Sequence, residues 1–152
     1  MDVLSNKIVL AAFPAQPTDF QAIAALAAQV IGVERSAAFV RSHAERHHLL
    51  VAEASEEAGE VSGFLAFRTD WFQCTFVTLV VVREDRRLRG IARALYRKVE
   101  DLSPSPRLFS STEETNAVSI KTHTALGFVP SGYIDHLPQG YRELLFYKRI
   151  RP

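Results

Sequence analysis

The segment Val82-Arg83-Glu84-Asp85-Arg86-Arg87-Leu88-Arg89-Gly90-Ile91-Ala92 joins an apolar run to a helix start that is crowded with arginine. The apolar run, residues 75–82, is rich in β-branched residues and is predicted to be a buried strand. At a helix start the first backbone N–H groups have no partner within the helix, and the helix dipole places positive charge there. This segment therefore predicts an α/β protein that binds an anion such as phosphate.

Charge is concentrated around this turn, although the whole chain has a formal net charge of only +1 at pH 7. The basic residues that outnumber Glu84 and Asp85 here are Arg83, Arg86, Arg87, Arg89, Arg93, Arg97 and Lys98. A focused basic segment indicates an anion site, whereas a surface built for nucleic acid needs broader basicity and exposed aromatic residues. We expect Arg86, Arg87 and Arg89 to pair with phosphate oxygens, and no nucleic acid partner.

Length and composition limit the class of protein. The chain has 152 residues, 47% of them hydrophobic, so we expect a single domain, over residues 3–150. Cys74 is the only cysteine, which excludes an internal disulfide and is typical of a reducing compartment. No apolar run reaches about 18 residues, and the one at residues 8–13 stops at Pro14. We therefore expect a cytoplasmic protein with neither a signal peptide nor a membrane partner.

Periodicity predicts the order of elements along the chain. Alternating or continuous apolar runs predict strands at residues 8–13, 48–54, 61–68, 75–82, 108–111, 128–134 and 143–148, with a hairpin turn at 56–60. A capping box of Thr18 and Gln21 predicts a helix that ends near Gly32, and Ser36 is expected to cap a second helix. Two further helices are predicted from residue 91 to 102 and from 116 to 126. This order indicates an α/β fold, in which a mixed central sheet has helices on both faces.

Two motifs resemble those of a known family. Arg87-x-x-Gly90-x-Ala92, between a strand and a helix, resembles the acetyl-CoA signature of the GNAT acetyltransferase superfamily. Asn116-x-x-Ser119-x-x-x-His123-x-x-x-Gly127-Phe128 is similar to the family's second recurrent block, a helix that starts at asparagine and is followed by Gly-Phe. The order of elements agrees over nearly the whole chain. The resemblance implies a GNAT-like fold and an N-acetyltransferase that uses acetyl-CoA.

The resemblance also implies which residues bind acetyl-CoA. The backbone at Val80 and Val82 would pair with the pantetheine arm. The pyrophosphate would meet the turn residues Arg87, Leu88, Arg89, Gly90, Ile91 and Ala92. Asn116 would hydrogen-bond the cofactor near its pantetheine–phosphate junction, and asparagine there is also a common helix N-cap. Arg93 and Arg97 are interpreted as a solvated helix face, because they are spaced by four residues.

The chemistry requires a neutral amine, a stabilised oxyanion and a proton for the leaving thiolate. A backbone N–H near residues 80–82 is a candidate oxyanion donor. Many relatives have a glutamate base on the strand before the signature and a tyrosine acid at the position of His123. This chain has no carboxylate between Asp70 and Glu84, so its base is not identified. His123 is predicted to donate the proton to sulfur, and a packed helix histidine is the alternative.

Other candidate residues are weaker. His43, His47 and His48 have no evident third ligand, so no metal site is predicted. Trp71, Phe72 and residues 137–141 are interpreted either as the border of the acceptor site or as structural residues, and Cys74 as structural. The alternative function is a non-catalytic CoA-binding or regulatory module that lost its general base. The acceptor, a small-molecule or peptide amine, stays open, as do the acyl chain length and a homodimer.

Overall fold

The computed structural model describes residues 10–54 and 60–152, and these residues form seven strands and four α-helices. The strands are β1 (Leu10–Pro14), β2 (Leu49–Ala54), β3 (Gly63–Trp71), β4 (Cys74–Val82), β5 (Arg107–Glu113), β6 (Val129–Ile134) and β7 (Glu143–Arg149). The helices are α1 (Phe20–Ile31), α2 (Val33–Glu45), α3 (Ile91–Leu102) and α4 (Ala117–Ala125). The strand order is β1-β2-β3-β4-β5-β7-β6. The β4–β5 pair is parallel and β1–β2, β2–β3, β5–β7 and β6–β7 are antiparallel, which confirms the predicted mixed sheet.

The described residues form two compact units. The first unit contains the residues up to Ala66 together with Leu79–Asp101. The second unit contains Phe67–Thr78 and Leu102–Pro152, so β3 and β4 contribute residues to both.

In the first unit, helices cover both faces of the sheet. Register pairs Leu49 with Ala66 on one face, and these residues share a core with Ile23 of α1 and Val40 of α2. Ala52 and Gly63 pair on the other face, because successive strand residues point in opposite directions. A Cβ built on Gly63 would lie 3.2 Å from Cγ2 of Ile91 in α3 and 2.9 Å from the carbonyl oxygen of Val81. Only glycine therefore allows α3 to pack this closely on the strand.

In the second unit, the β5–β7 register sorts the side chains onto two faces. Phe109 pairs with Tyr147 and Glu113 pairs with Glu143 on one face. On the other face Ser110 pairs with Phe146, and both are buried. The residues of α4 that pack here include His123, whose ring stacks on Phe146. The two faces of this part of the sheet consequently have different chemistry.

Two predicted helix starts were wrong, and both errors concern local hydrogen bonds. A short 3₁₀ helix, Pro17–Asp19, precedes α1, and Asp19 Oδ2 accepts a hydrogen bond from the Gln16 N–H (2.8 Å) in place of a Thr18–Gln21 capping box. Ser36 does not cap α2, which begins at Val33 directly after Gly32; its hydroxyl donates to the Val33 carbonyl (3.1 Å). Of the predicted turn at residues 56–60, only Glu60 lies within the described residues.

Candidate acetyl-CoA site

The turn between β4 and α3 contains two residues with left-handed backbone. Leu88 has φ +64° and Gly90 has φ +81°. Leucine rarely adopts this conformation, and the Leu88 side chain is fully exposed, so no packing of that side chain offsets the strain. Left-handed residues within a turn aim successive backbone N–H groups into a concavity that binds anions. The strain at Leu88 is therefore consistent with a functional turn.

The arginines of the turn divide into two groups. Arg83 contacts Glu60 (Nη1–Oε1 2.8 Å) and Asp85 (Nη2–Oδ2 2.7 Å), and Arg86 also contacts Glu60 (3.5 Å). Arg86 is thus engaged by a carboxylate, contrary to the expectation that it pairs with phosphate. Within the described residues, the exposed side chains of Arg87 and Arg89 form no ion pair. Arg87 Nε lies 3.4 Å from the Val82 carbonyl oxygen. Arg87 and Arg89 are the side chains best placed to meet an added anion.

Positive charge continues along α3 from this turn. A shallow cavity of about 420 Å³ adjoins Gly90 and is lined by Ala12, Gly90, Arg93, Ala94, Arg97, Lys98 and Asp101. Arg93 and Arg97 are exposed, as the interpretation of a solvated face implied, but both also border this cavity. Val80 and Val82 are half-buried on β4, on the face opposite Val81, whose side chain belongs to the core beneath α1 and α2.

Asn116 is the N-cap of α4, as one of the two interpretations predicted. Its Oδ1 accepts a hydrogen bond from the Ser119 backbone N–H at 3.1 Å. The cap determines where α4 begins and therefore which face carries His123, seven residues later. A contact between Asn116 and acetyl-CoA stays a prediction.

His123 is a buried imidazole with both ring nitrogens in hydrogen bonds. Nδ1 lies 2.8 Å from the Ser119 carbonyl oxygen, and Nε2 lies 2.8 Å from Oγ of Ser110. A carbonyl can only accept, so Nδ1 carries the proton, and in the neutral ring Nε2 accepts the Ser110 hydroxyl. The ring stacks on Phe146 (centroids 4.5 Å apart, 13° between planes), with Phe128 against its edge (5.3 Å).

Burial also shifts the protonation equilibrium of His123. Desolvation lowers the pKa of the imidazole, and the hydrogen bond to the Ser119 carbonyl opposes this shift in part. The side chain is 3% exposed, so the neutral ring is the form that this environment favours. Catalysis by His123 stays a prediction, and it requires that a proton first reach Nε2 or that Nδ1 leave Ser119.

Aromatic side chains form a connected group in the second unit, which we call the aromatic wall: Trp71, Phe76, Phe109 and Tyr147. Trp71 stacks on Phe76 (4.8 Å, 27°) and lies 5.0 Å from Phe109, which lies 5.2 Å from Tyr147. All four are half-buried, so Trp71 is neither a fully buried core residue nor an isolated surface group. Phe72 occupies the turn that follows, with φ +49°, and is 81% exposed.

Glu143 was not singled out from the sequence. Its Oε2 accepts a hydrogen bond from the Ser111 hydroxyl (3.3 Å), and its Oε1 is buried with no hydrogen-bond partner in the described part of the chain. Burial raises the pKa of this carboxyl, the bond from Ser111 lowers it, and the charge of Glu113 raises it. Glu113 and Glu143 are register partners, and a pairing between β5 and β7 is a tertiary fact that periodicity cannot supply.

The remaining candidates lie in ordinary structural environments. His43 is buried, with Nδ1 2.9 Å from the Phe39 carbonyl oxygen and its ring 4.2 Å from that of Phe39. Across residues 10–54 and 60–152, no group of three or more histidine, cysteine, aspartate or glutamate side chains is arranged to hold a metal ion. No helix in the same residues has the length and apolarity that a membrane span requires.

Comparisons with known proteins agree with this architecture. The acetyltransferase (GNAT) family model matches residues 18–128. A GNAT-family acetyltransferase from Bacillus cereus ATCC 10987 is 30% identical, with 93% of this chain and 97% of that chain covered and a TM-score of 0.83. The comparison with curated proteins found no match.

Two more distant structures share the fold. The yncA protein of Salmonella typhimurium, solved with its cofactor acetyl-CoA, is 18% identical, with 93% and 94% of the two chains covered and a TM-score of 0.74. The ribosomal-protein-S18-alanine N-acetyltransferase of Escherichia coli is 16% identical, with 95% and 96% covered and a TM-score of 0.71. Because the family model spans most of the sequence and the Bacillus cereus protein is similar over nearly its whole length, the chain belongs to the acetyltransferase (GNAT) family.

Proposed function

We propose that the protein transfers an acetyl group from acetyl-CoA directly to an amine. The observation that carries this proposal is the turn before α3, where Leu88 and Gly90 have positive φ and the exposed Arg87 and Arg89 form no ion pair within the described residues. Oriented amides and available guanidinium groups are what a pyrophosphate requires. A family relative that holds acetyl-CoA supports this cosubstrate.

In this function, residues of the two family motifs hold the cosubstrate. The pyrophosphate meets the backbone of Arg87, Leu88, Arg89, Gly90, Ile91 and Ala92. The pantetheine arm pairs with the backbone at Val80 and Val82, where an N–H also serves as oxyanion donor. Arg93, Arg97 and Lys98 extend the basic surface for the remaining phosphate. Asn116 hydrogen-bonds the cofactor through the part of its amide that does not cap α4.

The reaction replaces a C–S bond by a C–N bond. The neutral amine attacks the thioester carbonyl carbon, the tetrahedral oxyanion forms, and the thiolate leaves and takes a proton. His123 is the predicted donor of that proton. Once it is charged, a buried imidazolium with a lowered pKa is a strong acid toward a thiolate, but the ring must first take up a proton.

A second function is favoured by two specific observations. His123 is buried with both ring nitrogens in hydrogen bonds, and β4 carries no carboxylate, as expected if the protein binds CoA without catalysing transfer. The two functions share the turn and differ only in turnover.

The deciding experiment measures binding and turnover on the same preparation. Isothermal titration with acetyl-CoA tests the turn, and free thiol release in the presence of a panel of primary amines tests transfer. We expect both binding and amine-dependent thiol release. Binding without release for any amine would establish the binding module, and no binding would contradict both functions.

A further inference from the structure

One face of the sheet in the second unit combines an acidic group with aromatic ones. Strand alternation and the β5–β7 register place Glu143, Leu145 and Tyr147 on this face, opposite Glu113, Ser111 and Phe109 respectively. The other face belongs to Ser110 and Phe146, which contact His123. The aromatic wall and the carboxylate of Glu143 therefore share a face that does not contain the imidazole.

The carboxylate of Glu143 has an unused oxygen. Oε2 accepts the Ser111 hydroxyl, while the buried Oε1 has no hydrogen-bond partner among the described residues. A buried acceptor without a donor destabilises the folded state, and more so if it is charged. Glu113 directly opposite adds like-charge repulsion. A cationic N–H donor would relieve both costs.

The other groups around Glu143 do not supply that donor. Across β7 on β6 the register partner is the apolar Ile134, and the adjacent Arg142 donates through Nε to Asp135 (2.9 Å). The charged group that faces Glu143 from β5 is the carboxylate of Glu113. None of these neighbouring side chains therefore donates to the buried Oε1 of Glu143.

We propose that Glu143 is the general base of the transfer, and that the acceptor is a primary amine on an apolar, ring-bearing body that lies against the aromatic wall. This inference rests on the proposed function. Glu143 and Tyr147 are four residues apart on β7, which is about 13 Å along a strand. Leu145 lies between them on β7, opposite Ser111 of β5. An amine joined through an alkyl chain to an aromatic ring would direct its nitrogen toward the carboxylate and its ring toward the aromatic wall.

The acceptor arrives as R–NH₃⁺ and gives one proton to Glu143, which leaves a neutral amine with a free lone pair. Nitrogen then bonds to the acetyl carbon and the C–S bond breaks. The nitrogen loses a second proton, the thiolate gains one and becomes the CoA thiol, and Glu143 releases its proton to water. The net products are the N-acetyl amine, CoA and one proton.

The test uses 4-phenylbutylamine as acceptor and n-butylamine as the amine that lacks the ring. We expect Glu143→Gln to lower kcat by roughly 10²-fold at neutral pH and to abolish the acidic limb of the pH profile. Its acetyl-CoA affinity should match that of the wild type. Its melting midpoint should not fall, because glutamine keeps the bond from Ser111 and removes the charge that faces Glu113. The control Glu114→Gln removes an exposed carboxylate of the same unit and should leave all of these quantities unchanged.

A second measurement needs no turnover. In NMR spectra of protein labelled with ¹³C at glutamate carboxyl carbons, the Glu143 signal is identified by its absence from the spectrum of Glu143→Gln. This signal should shift more strongly with 4-phenylbutylamine than with n-butylamine. Transfer by the wild type with full activity in Glu143→Gln would overturn the inference and leave the proposed function intact. If no amine supports thiol release, the proposed function fails. The carboxyl signal then shows whether an ammonium site exists, and an unmoved signal overturns the inference as well.

Discussion

At the scale of the residue, His123 has two interpretations with different outcomes. If His123 is the proton donor, His123→Ala lowers kcat by roughly 10²-fold and leaves acetyl-CoA affinity unchanged. His123→Tyr then restores part of the rate. If His123 is only a packed residue, His123→Ala opens a cavity against Phe146 and removes the hydrogen-bond partner of Ser110. The free energy of unfolding then falls by about 2–4 kcal/mol. Thiol release and urea unfolding of His123→Ala measure the two losses separately. Full turnover in a folded His123→Ala protein would exclude the catalytic role.

The buried imidazole also predicts a dependence of stability on pH. Its pKa in the folded protein is lowered, so as pH falls below the unfolded value of about 6.5 the unfolded chain takes up a proton that the folded protein does not. The free energy of unfolding should therefore fall from pH 7.5 to pH 5.5, with the loss reduced in His123→Asn. The pKa of Glu143 is raised, which gives a change of opposite sign. The quantity to measure by urea unfolding is therefore the difference in free energy of unfolding between wild type and His123→Asn, in which the contribution of Glu143 cancels. An equal reduction in His136→Asn, which alters an exposed histidine, would contradict this prediction.

At the scale of the element, the turn before α3 provides a test with a matched control. Gly90 and Gly140 have nearly the same φ, +81° and +82°, so left-handed backbone strains a valine at either position. Only Gly90 lies where the pyrophosphate is proposed to contact the backbone. We expect Gly90→Val to weaken acetyl-CoA binding by at least about tenfold, which is about 1.4 kcal/mol, and Gly140→Val to leave it unchanged. Isothermal titration measures both, and equal losses would indicate strain rather than a ligand contact.

Element types and their order were predictable because they depend on local periodicity. The strand at residues 61–68 is observed as Gly63–Trp71 and that at 108–111 as Arg107–Glu113, so their ends differ by at most three residues. The starts of α1 and α2 were not predicted, because the structure has Gln16 with Asp19 and a positive φ at Gly32 where the sequence suggested the Thr18 and Ser36 caps. Capping depends on which of several nearby polar groups forms the hydrogen bond to the free N–H in the folded structure.

Side-chain environments were less predictable than elements. The periodicity of α4 does not mark His123 as the residue that turns inward, since the apolar residues of this helix form no clear stripe. The acidic pair on β5 and β7 depends on a register between strands that are not consecutive in sequence. For the same reason the pairing of Arg86 with Glu60, 26 residues away, escaped a prediction based on the arginine cluster.

At the scale of the whole molecule, acetyl-CoA should stabilise the fold. The anion-binding turn exists only when β4 and α3 flank it, so the unfolded chain does not present the oriented amides and binds the ligand far more weakly. Binding to the folded state alone raises the free energy of unfolding by about 2.7 kcal/mol at a ligand concentration of 100 times Kd. Differential scanning calorimetry should therefore show a melting midpoint that rises with acetyl-CoA concentration in the wild type and much less in Gly90→Val. Duplex DNA at physiological ionic strength should neither raise the midpoint nor displace acetyl-CoA, because the local excess of basic over acidic residues lies in one segment of a nearly neutral chain. A midpoint indifferent to acetyl-CoA, or one raised equally by DNA, would mean that the turn is not a CoA site.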